Sequence, residues 1–302
     1  YAAWRAELPT AADLLAARVL LEVRLPMALQ AFLCGGLLGI SGAALQAVLR
    51  NPLAEPYVLG VSSGCALGMV LAALCGAGGI FLVQSGAAFL GGTAAAALVL
   101  AGAFGRGRVL SLGRLVLLGV AVSAFLSALT MLIQSFLDPW RFAASVGLLM
   151  GEITLLTSGE LLLAAGLSLP AVAYLLFRAP ELDILAQGRE AALVTGVSAD
   201  RVLTATVAAA SLATAVSVAL CGVVGFIGLA APHAVRMLRG TSRKRLFPLS
   251  FLTGGGFLLL AHLVVRLFSA AAPLPLTAVT ALAGAPFFFW IIRRAGGADA
   301  AV

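Results

Sequence analysis

Apolar runs of about 20 residues recur from one end of this chain to the other, and each is long enough to cross a bilayer as a helix. Of its 302 residues 62% are hydrophobic and 10% charged, with a mean hydropathy of +1.11. Soluble domains run nearer half apolar and a quarter charged. The composition therefore excludes a disordered chain, a disulfide-stapled secreted module and an ordinary cytosolic enzyme. It predicts an all-α integral membrane protein, because a helix satisfies its own backbone groups in lipid. Nine spans can be drawn, at 25–49, 58–75, 80–104, 115–137, 155–177, 202–221, 225–238, 247–268 and 276–292. The seventh is short for a crossing, roughly 14 residues against the usual ~20, so it is either tilted or joined to a half-helix at its start.

The net charge of +7 would suggest a nucleic-acid partner in a soluble protein. Here the basic residues stand between apolar runs, where they act as topology signals, and no nucleic acid is expected. With the carboxyl end cytoplasmic, the inner loops hold Arg50, Arg106, Arg108, Arg114, Arg178, Arg189, Arg201, Arg236, Arg239, Arg243, Lys244, Arg245, Arg293 and Arg294. The outer side holds Arg5, Arg18, Arg24 and Arg141, and Arg266 falls within a span. Nine spans then put Tyr1 outside. Residues 1–24 carry Leu14, Leu15, Val19, Leu20 and Val23 on one side, as in an amphipathic helix on the outer face. Either that end crosses unaided, or a further helix precedes this sequence. The expectation is the second.

Gly60, Gly64 and Gly68 form one small-residue stripe, and Gly35 with Gly39 another. Such stripes let helix backbones approach closely, within the subunit or across a dimer seam. The four cysteines, Cys34, Cys65, Cys75 and Cys221, lack ligand spacing and read as packing residues. Glu160 lies near the outer end of its helix, and Asp138, Glu152 and Asp183 are in loops. No mid-span acid is evident, which argues against an ion-coupled carrier. No nucleotide loop, HExxH or nucleophile pairing appears, so no cofactor, metal or catalytic residue is expected. Such a chain borrows energy from a partner or conducts passively.

The loop 178–201, RAPELDILAQGREAALVTGVSADR, contains two short helical stretches separated at Gly188. The second, 189–195, ends at Gly196 as at a C-cap. It reads as a handle for a soluble partner or as a solvated connector.

GGLLGISGAALQAVLRNPLAEPYVLGVSSG, following Arg24-Leu25-Pro26, resembles the permease family of ABC importers for iron chelates, haem and cobalamin (the FecCD type). So do GFIGLAAPHAVRMLRG at 225–240 and LTAVTALAGAPFFFWII at 276–292. The resemblance covers nearly the whole chain, in order. It implies the ten-helix type II importer permease fold in one transmembrane domain, residues 1–302. It also implies a homodimer with the pathway between subunits, ATPase subunits below and a periplasmic or lipoprotein binding protein above. Gly188, Glu190, Gly196 and Val197 match coupling-helix positions, and Asn51 and Leu53 match a cytoplasmic gate. The stiff turn between Pro52 and Pro56 agrees with a plug, although Asn51 also suits a helix cap or turn. Arg24 and Arg266 match docking arginines, whose planar donor forks suit carboxylates; snorkelling to lipid phosphate is the other reading.

Three residues depart from the family pattern at the outer mouth. His262 stands for an aspartate, Met27 for an arginine and Pro273 for a glutamate. His233 reads as orienting its short helix. The function expected is a non-catalytic permease subunit of an ATP-driven importer in the bacterial inner membrane, with a small, mostly apolar pathway wall. Its cargo is a ferric siderophore first, haem or cobalamin otherwise. An ion-gradient-driven carrier or channel is the alternative from another class, and an intramembrane enzyme a more distant one.

Overall fold

The structure, a computed structural model, describes residues 11–77, 80–104, 110–239, 242–268 and 274–299. It is a helical bundle: α1 (Ala11–Arg18), α2 (Leu25–Leu49), α3 (Val61–Leu74), α4 (Phe81–Ala103), α5 (Leu112–Gln134), α6 (Pro139–Leu149), α7 (Ser158–Ala186), α8 (Arg189–Val194), α9 (Ala199–Cys221), α10 (Ile227–Arg239), α11 (Arg243–Phe268) and α12 (Leu276–Asp299). Among the described residues six helical stretches are long and apolar enough to cross a membrane, and Val61–Leu74 and Leu276–Phe287 are shorter apolar helices. Residues 11–24 are helical, as their pattern predicts. They run into α2 through a π-helical turn at Val19–Arg24 without a break.

α2 and α9 are the buried centre, and α5 turns nearly its whole length outward. Glycine makes the central contacts possible. A β-carbon on Gly35 would lie 2.3 Å from the Gly254 carbonyl, and one on Gly39 2.1 Å from that of Ser250, so α2 and α11 meet backbone to backbone. Gly64 and Gly68 do the same against Gly91 and Ala87 of α4. The glycine stripes thus serve packing inside the subunit. In lipid this contact supplies the van der Waals energy that replaces hydrophobic burial. Cys34, Cys65 and Cys221 are buried packing residues; Cys75 is exposed at the end of α3, which corrects the reading of all four as packing residues.

The seventh apolar stretch is not a full crossing. α10 has 13 residues, roughly 20 Å of helix against a ~30 Å hydrocarbon core. Gln30 Nε2 donates to the Leu220 carbonyl and Ser217 Oγ to that of Cys34, so α9 ends beside the early turns of α2. Gln46 Nε2 donates to the Gly228 carbonyl, and Gly42 abuts it, so α10 begins roughly 18 Å further along α2. Residues 222–226 cover that distance in non-helical conformation, with Gly222 at φ 71° and Phe226 at φ 69°. α10 is therefore itself a half-helix starting inside the bundle, preceded by non-helical backbone and not by the half-helix that the short stretch suggested at its start.

A second break, at 150–157, lies against the first. Glu152 N–H donates to the Cys221 carbonyl, and Leu276 and Thr277 N–H donate to the carbonyls of Gly151 and Met150. Thr277 Oγ1 bridges the Met150 and Val223 carbonyls. Irregular backbone survives at this depth because the two breaks and the start of α12 satisfy one another. α7 begins at a capping box, with Thr157 and Glu160 exchanging bonds, and extends to Ala186, nine positions beyond the expected end of its span. The first helical stretch of the 178–201 loop is thus the end of a spanning helix. α6 lies where a plain loop was expected; Asp138 caps it and Pro139 opens it.

Candidate functional site

At one end of the bundle, α2 stops at Leu49 and Arg50 turns the chain with φ 50°, a left-handed conformation usual for glycine or asparagine at such a stop. Asn51 follows, its side-chain oxygen accepting the Leu53 N–H at 2.9 Å while its carbonyl accepts that of Ala54. Asn51 therefore is the turn residue that the sequence allowed. Asn51 and Leu53 both project, Leu53 with 55% of its surface exposed.

Behind this exposed tip the loop is fastened to the half-helix. Gln46 Nε2 donates to the carbonyls of Ala54 and Gly228, and Gln46 Oε1 accepts from the Arg236 guanidinium. Glu55 accepts the N–H of Phe226 at 2.9 Å, and burial raises its carboxyl from its ordinary value despite that bond. The Tyr57 hydroxyl donates to the Val224 carbonyl and accepts the Val224 N–H. Sequence reasoning did not single out Glu55 or Tyr57. The signal was an acid between two prolines, outside the apolar runs where buried acids were sought. His233 sits half-buried on α10, three residues before Arg236.

Beside the loop, α7 gives way to α8 through Gln187 and Gly188, the latter at φ 125°. α8 carries Glu190 and ends in a cap: Val197 N–H reaches the Ala192 carbonyl at 2.8 Å, with Gly196 at φ 74°. A β-carbon on either glycine would meet nothing within 4 Å, so backbone conformation, not crowding, requires them. Ala192 is buried and Val197 half-buried against the core, while Leu193 and Val194 project with 78% and 89% exposure. All four positions expected to couple thus fall on one short helix and its two turns. Asp183, on the last turns of α7, accepts the Arg243 N–H and, at 2.8 Å, its guanidinium.

At the opposite end of α2, Arg24 is exposed one turn before Met27. Met27, Glu152, His262 and Arg266 line a cavity of 420 Å³. Arg266 and two of the three departures from the family pattern therefore share one mouth, with Arg24 just outside it. Between α3 and α5 lies an open groove of 300 Å³ that carries Ser62, Ser63, Ser127, Thr130 and Gln134, a hydroxyl and amide strip on otherwise apolar helices. Among the described residues no group of three or more His, Cys, Asp or Glu could hold a metal ion. Residues 1–10 with Arg5, and Arg106, Arg108, Gly240 and Pro273, lie outside the described residues.

A bundle of spanning helices with internal breaks and a polar groove has the build of a multi-pass membrane permease. The chain belongs to the FecCD transport family, whose model matches residues 4–294. It is 36% identical over 285 residues to a probable iron chelatin transport system permease protein of Helicobacter pylori, covering 92% of this chain and 83% of that one. It is 38% identical over 283 residues to the vitamin B12 import system permease protein BtuC of Escherichia coli O127:H6, covering 91% and 83%. A solved structure described as an inward-facing putative metal-chelate type ABC transporter superposes with a TM-score of 0.87 at 31% identity, covering 95% of this chain and 91% of that one. PsaBC from Streptococcus pneumoniae shares the fold, with a TM-score of 0.57 at 14% identity.

Proposed function

We propose that this chain is the permease subunit of an ATP-driven importer that carries a metal-chelate-sized ligand, a ferric siderophore before haem or cobalamin, across the bacterial inner membrane. The observation that carries the reading is α8. A short helix held between two left-handed glycines, with Leu193 and Val194 projecting, is a surface awaiting a partner. Gly188, Glu190, Gly196 and Val197 engage the ATPase subunit there, so that end, with the carboxyl terminus, is cytoplasmic. The charge asymmetry of the loops supports the same orientation. Residues 178–201 form the coupling loop, and Asn51 and Leu53 form the gate beside it.

At the opposite face, Arg24 and Arg266 receive the binding protein, and residues 1–24 lie toward that side. Two permease subunits enclose the pathway. Each is a ten-helix unit of the type II class. The uncharged α3–α5 groove, apolar apart from its hydroxyl and amide strip, supports a weakly interacting pathway wall of mostly small and apolar side chains, along which a bulky chelate slides without being trapped. The subunit itself catalyses nothing; hydrolysis belongs to the partner.

Reconstitution with the ATPase and binding protein tests this. ATP should drive labelled ferric siderophore into liposomes, and omission of either partner should abolish uptake. Uptake by the permease alone would refute the reading. One observation favours a second reading, an ion-gradient-driven carrier: the half-buried Glu55 carboxyl, bonded just before the half-helix, is a group such a carrier would use. A proton gradient alone would then suffice.

A further inference from the structure

The helix ends on either side of the 187–198 segment are each hydrogen-bonded to another loop. On one side, Arg50 Nη2 donates at 2.7 Å to the carbonyl of Leu185, in the last turn of α7, a carbonyl that also accepts the N–H of Gly188. On the other, Asp200 Oδ1 in the first turn of α9 accepts the N–H of Leu110 at 3.4 Å. Leu110 is buried, two residues before α5 begins.

These two anchored loops lead into the two walls of the polar groove. The loop that starts at Arg50 continues through Pro56–Leu59 into α3, which carries Ser62 and Ser63. The stretch at Leu110 continues into α5, which carries Ser127, Thr130 and Gln134. Arg50 is held in a left-handed conformation that disfavours a residue with a β-carbon. Its long side chain reaches a carbonyl in the last turn of α7, which also takes the long bond from the Gly188 N–H. A charged donor on that carbonyl is a strong hydrogen bond at a partly buried site.

We infer that Arg50 and Asp200 are positioning residues that carry displacement of the coupling loop to the two groove walls separately, Arg50 to α3 and Asp200 to α5. The inference rests on the importer reading above. When the partner moves α8, Gly188 and the Leu185 carbonyl move with it, and Arg50 pulls the turn that holds Asn51 and Leu53. The same movement acts at Asp200 on the backbone at Leu110. The Asp183–Arg243 link from α7 runs to α11, whose residues do not line the groove, so it anchors the platform without driving either wall.

The test uses the full complex in liposomes, in a Cys75→Ser background, with reporter thiols placed by Ser62→Cys or Ser127→Cys. Labelling by a membrane-impermeant maleimide is compared with and without vanadate trapping. Arg50→Met should keep ATP hydrolysis, lower ferric siderophore uptake about tenfold, and abolish the nucleotide-dependent change at position 62 while leaving that at 127. Asp200→Ala, which removes the acceptor for the Leu110 N–H, should do the reverse, and Arg50→Lys, which keeps a cationic donor, should recover part of the coupling. Equal loss at both reporters in either variant, or normal uptake and labelling in both, overturns the inference. Uptake that needs no ATP in the unsubstituted complex instead defeats the importer reading on its own.

Discussion

The carboxylate of Glu55 accepts the backbone N–H of Phe226 at 2.9 Å, so the non-helical stretch before α10 ends on an acid supplied by the loop after α2. Burial raises this carboxyl above its ordinary value of 4.5. A raised carboxyl favours the protonated folded state, so its contribution is most favourable below 4.5 and is lost as pH rises through the shifted value. Glu55→Gln keeps an acceptor for Phe226 without a charge to bury. The variant should be the more stable at neutral pH, and the difference should shrink as pH falls toward 4.5. Thermal melts of the detergent-purified subunit across that range check this; a constant difference would contradict it.

Gly42 faces Gly228 so closely that a β-carbon would stand 1.8 Å from the Gly228 carbonyl oxygen. The obstruction is backbone, which a rotamer change cannot relieve. Gly42→Ala should cost about 1–3 kcal/mol and lower the melting temperature. Gly86→Ala on α4, where nothing lies within 4 Å, should leave it unchanged or raise it slightly.

Much of this arrangement was legible in the sequence. Apolar length marked the spanning helices, and Gly188 and Gly196 marked both turns around α8. The glycine stripes marked the backbone contacts of α2 with α11 and of α3 with α4. The half-helix was only partly legible. Residues 222–232 are apolar throughout, and periodicity cannot tell a crossing from a helix that starts deep in a bundle. What places α10 is a set of contacts far apart in sequence, Gln46 with Gly228 and Arg236, and Tyr57 with Val224. The extension of α7 past Arg178 was hidden by charge. Arg178, Glu181 and Asp183 look like loop residues, yet Arg178 and Glu181 pair one helical turn apart, and Asp183 is used by α11.

Asp183 accepts both the N–H and the guanidinium of Arg243 at the start of α11, with the two side chains 29% and 20% exposed. Asp183→Ala removes a helix cap and an ion pair together and should cost about 1–2 kcal/mol. Asp183→Asn keeps the cap and should cost less. Denaturation of the two variants side by side separates the contributions; equal losses would assign the whole effect to charge.

Gly196 stands at φ 74° with open space around it. A β-branched residue there is strained by about 1–2 kcal/mol, which should distort the α8 cap without disturbing the spanning helices. Gly196→Val should therefore fold and assemble, hydrolyse ATP with its partner, and transport poorly. Glu190→Ala, on the same short helix, should uncouple in the same direction. Coupled uptake at the normal ratio in both variants would remove α8 from the coupling role.

The central claim is that transport through this subunit is powered by a partner's ATP hydrolysis. The most direct measurement is uptake of labelled ferric siderophore, haem and cobalamin in cells lacking this gene and complemented with it, with either an active or a hydrolysis-dead ATPase partner. The account predicts that one cargo is restored, and only with the active ATPase. Uptake that persists with the dead ATPase but collapses when the ion gradient is discharged would contradict it.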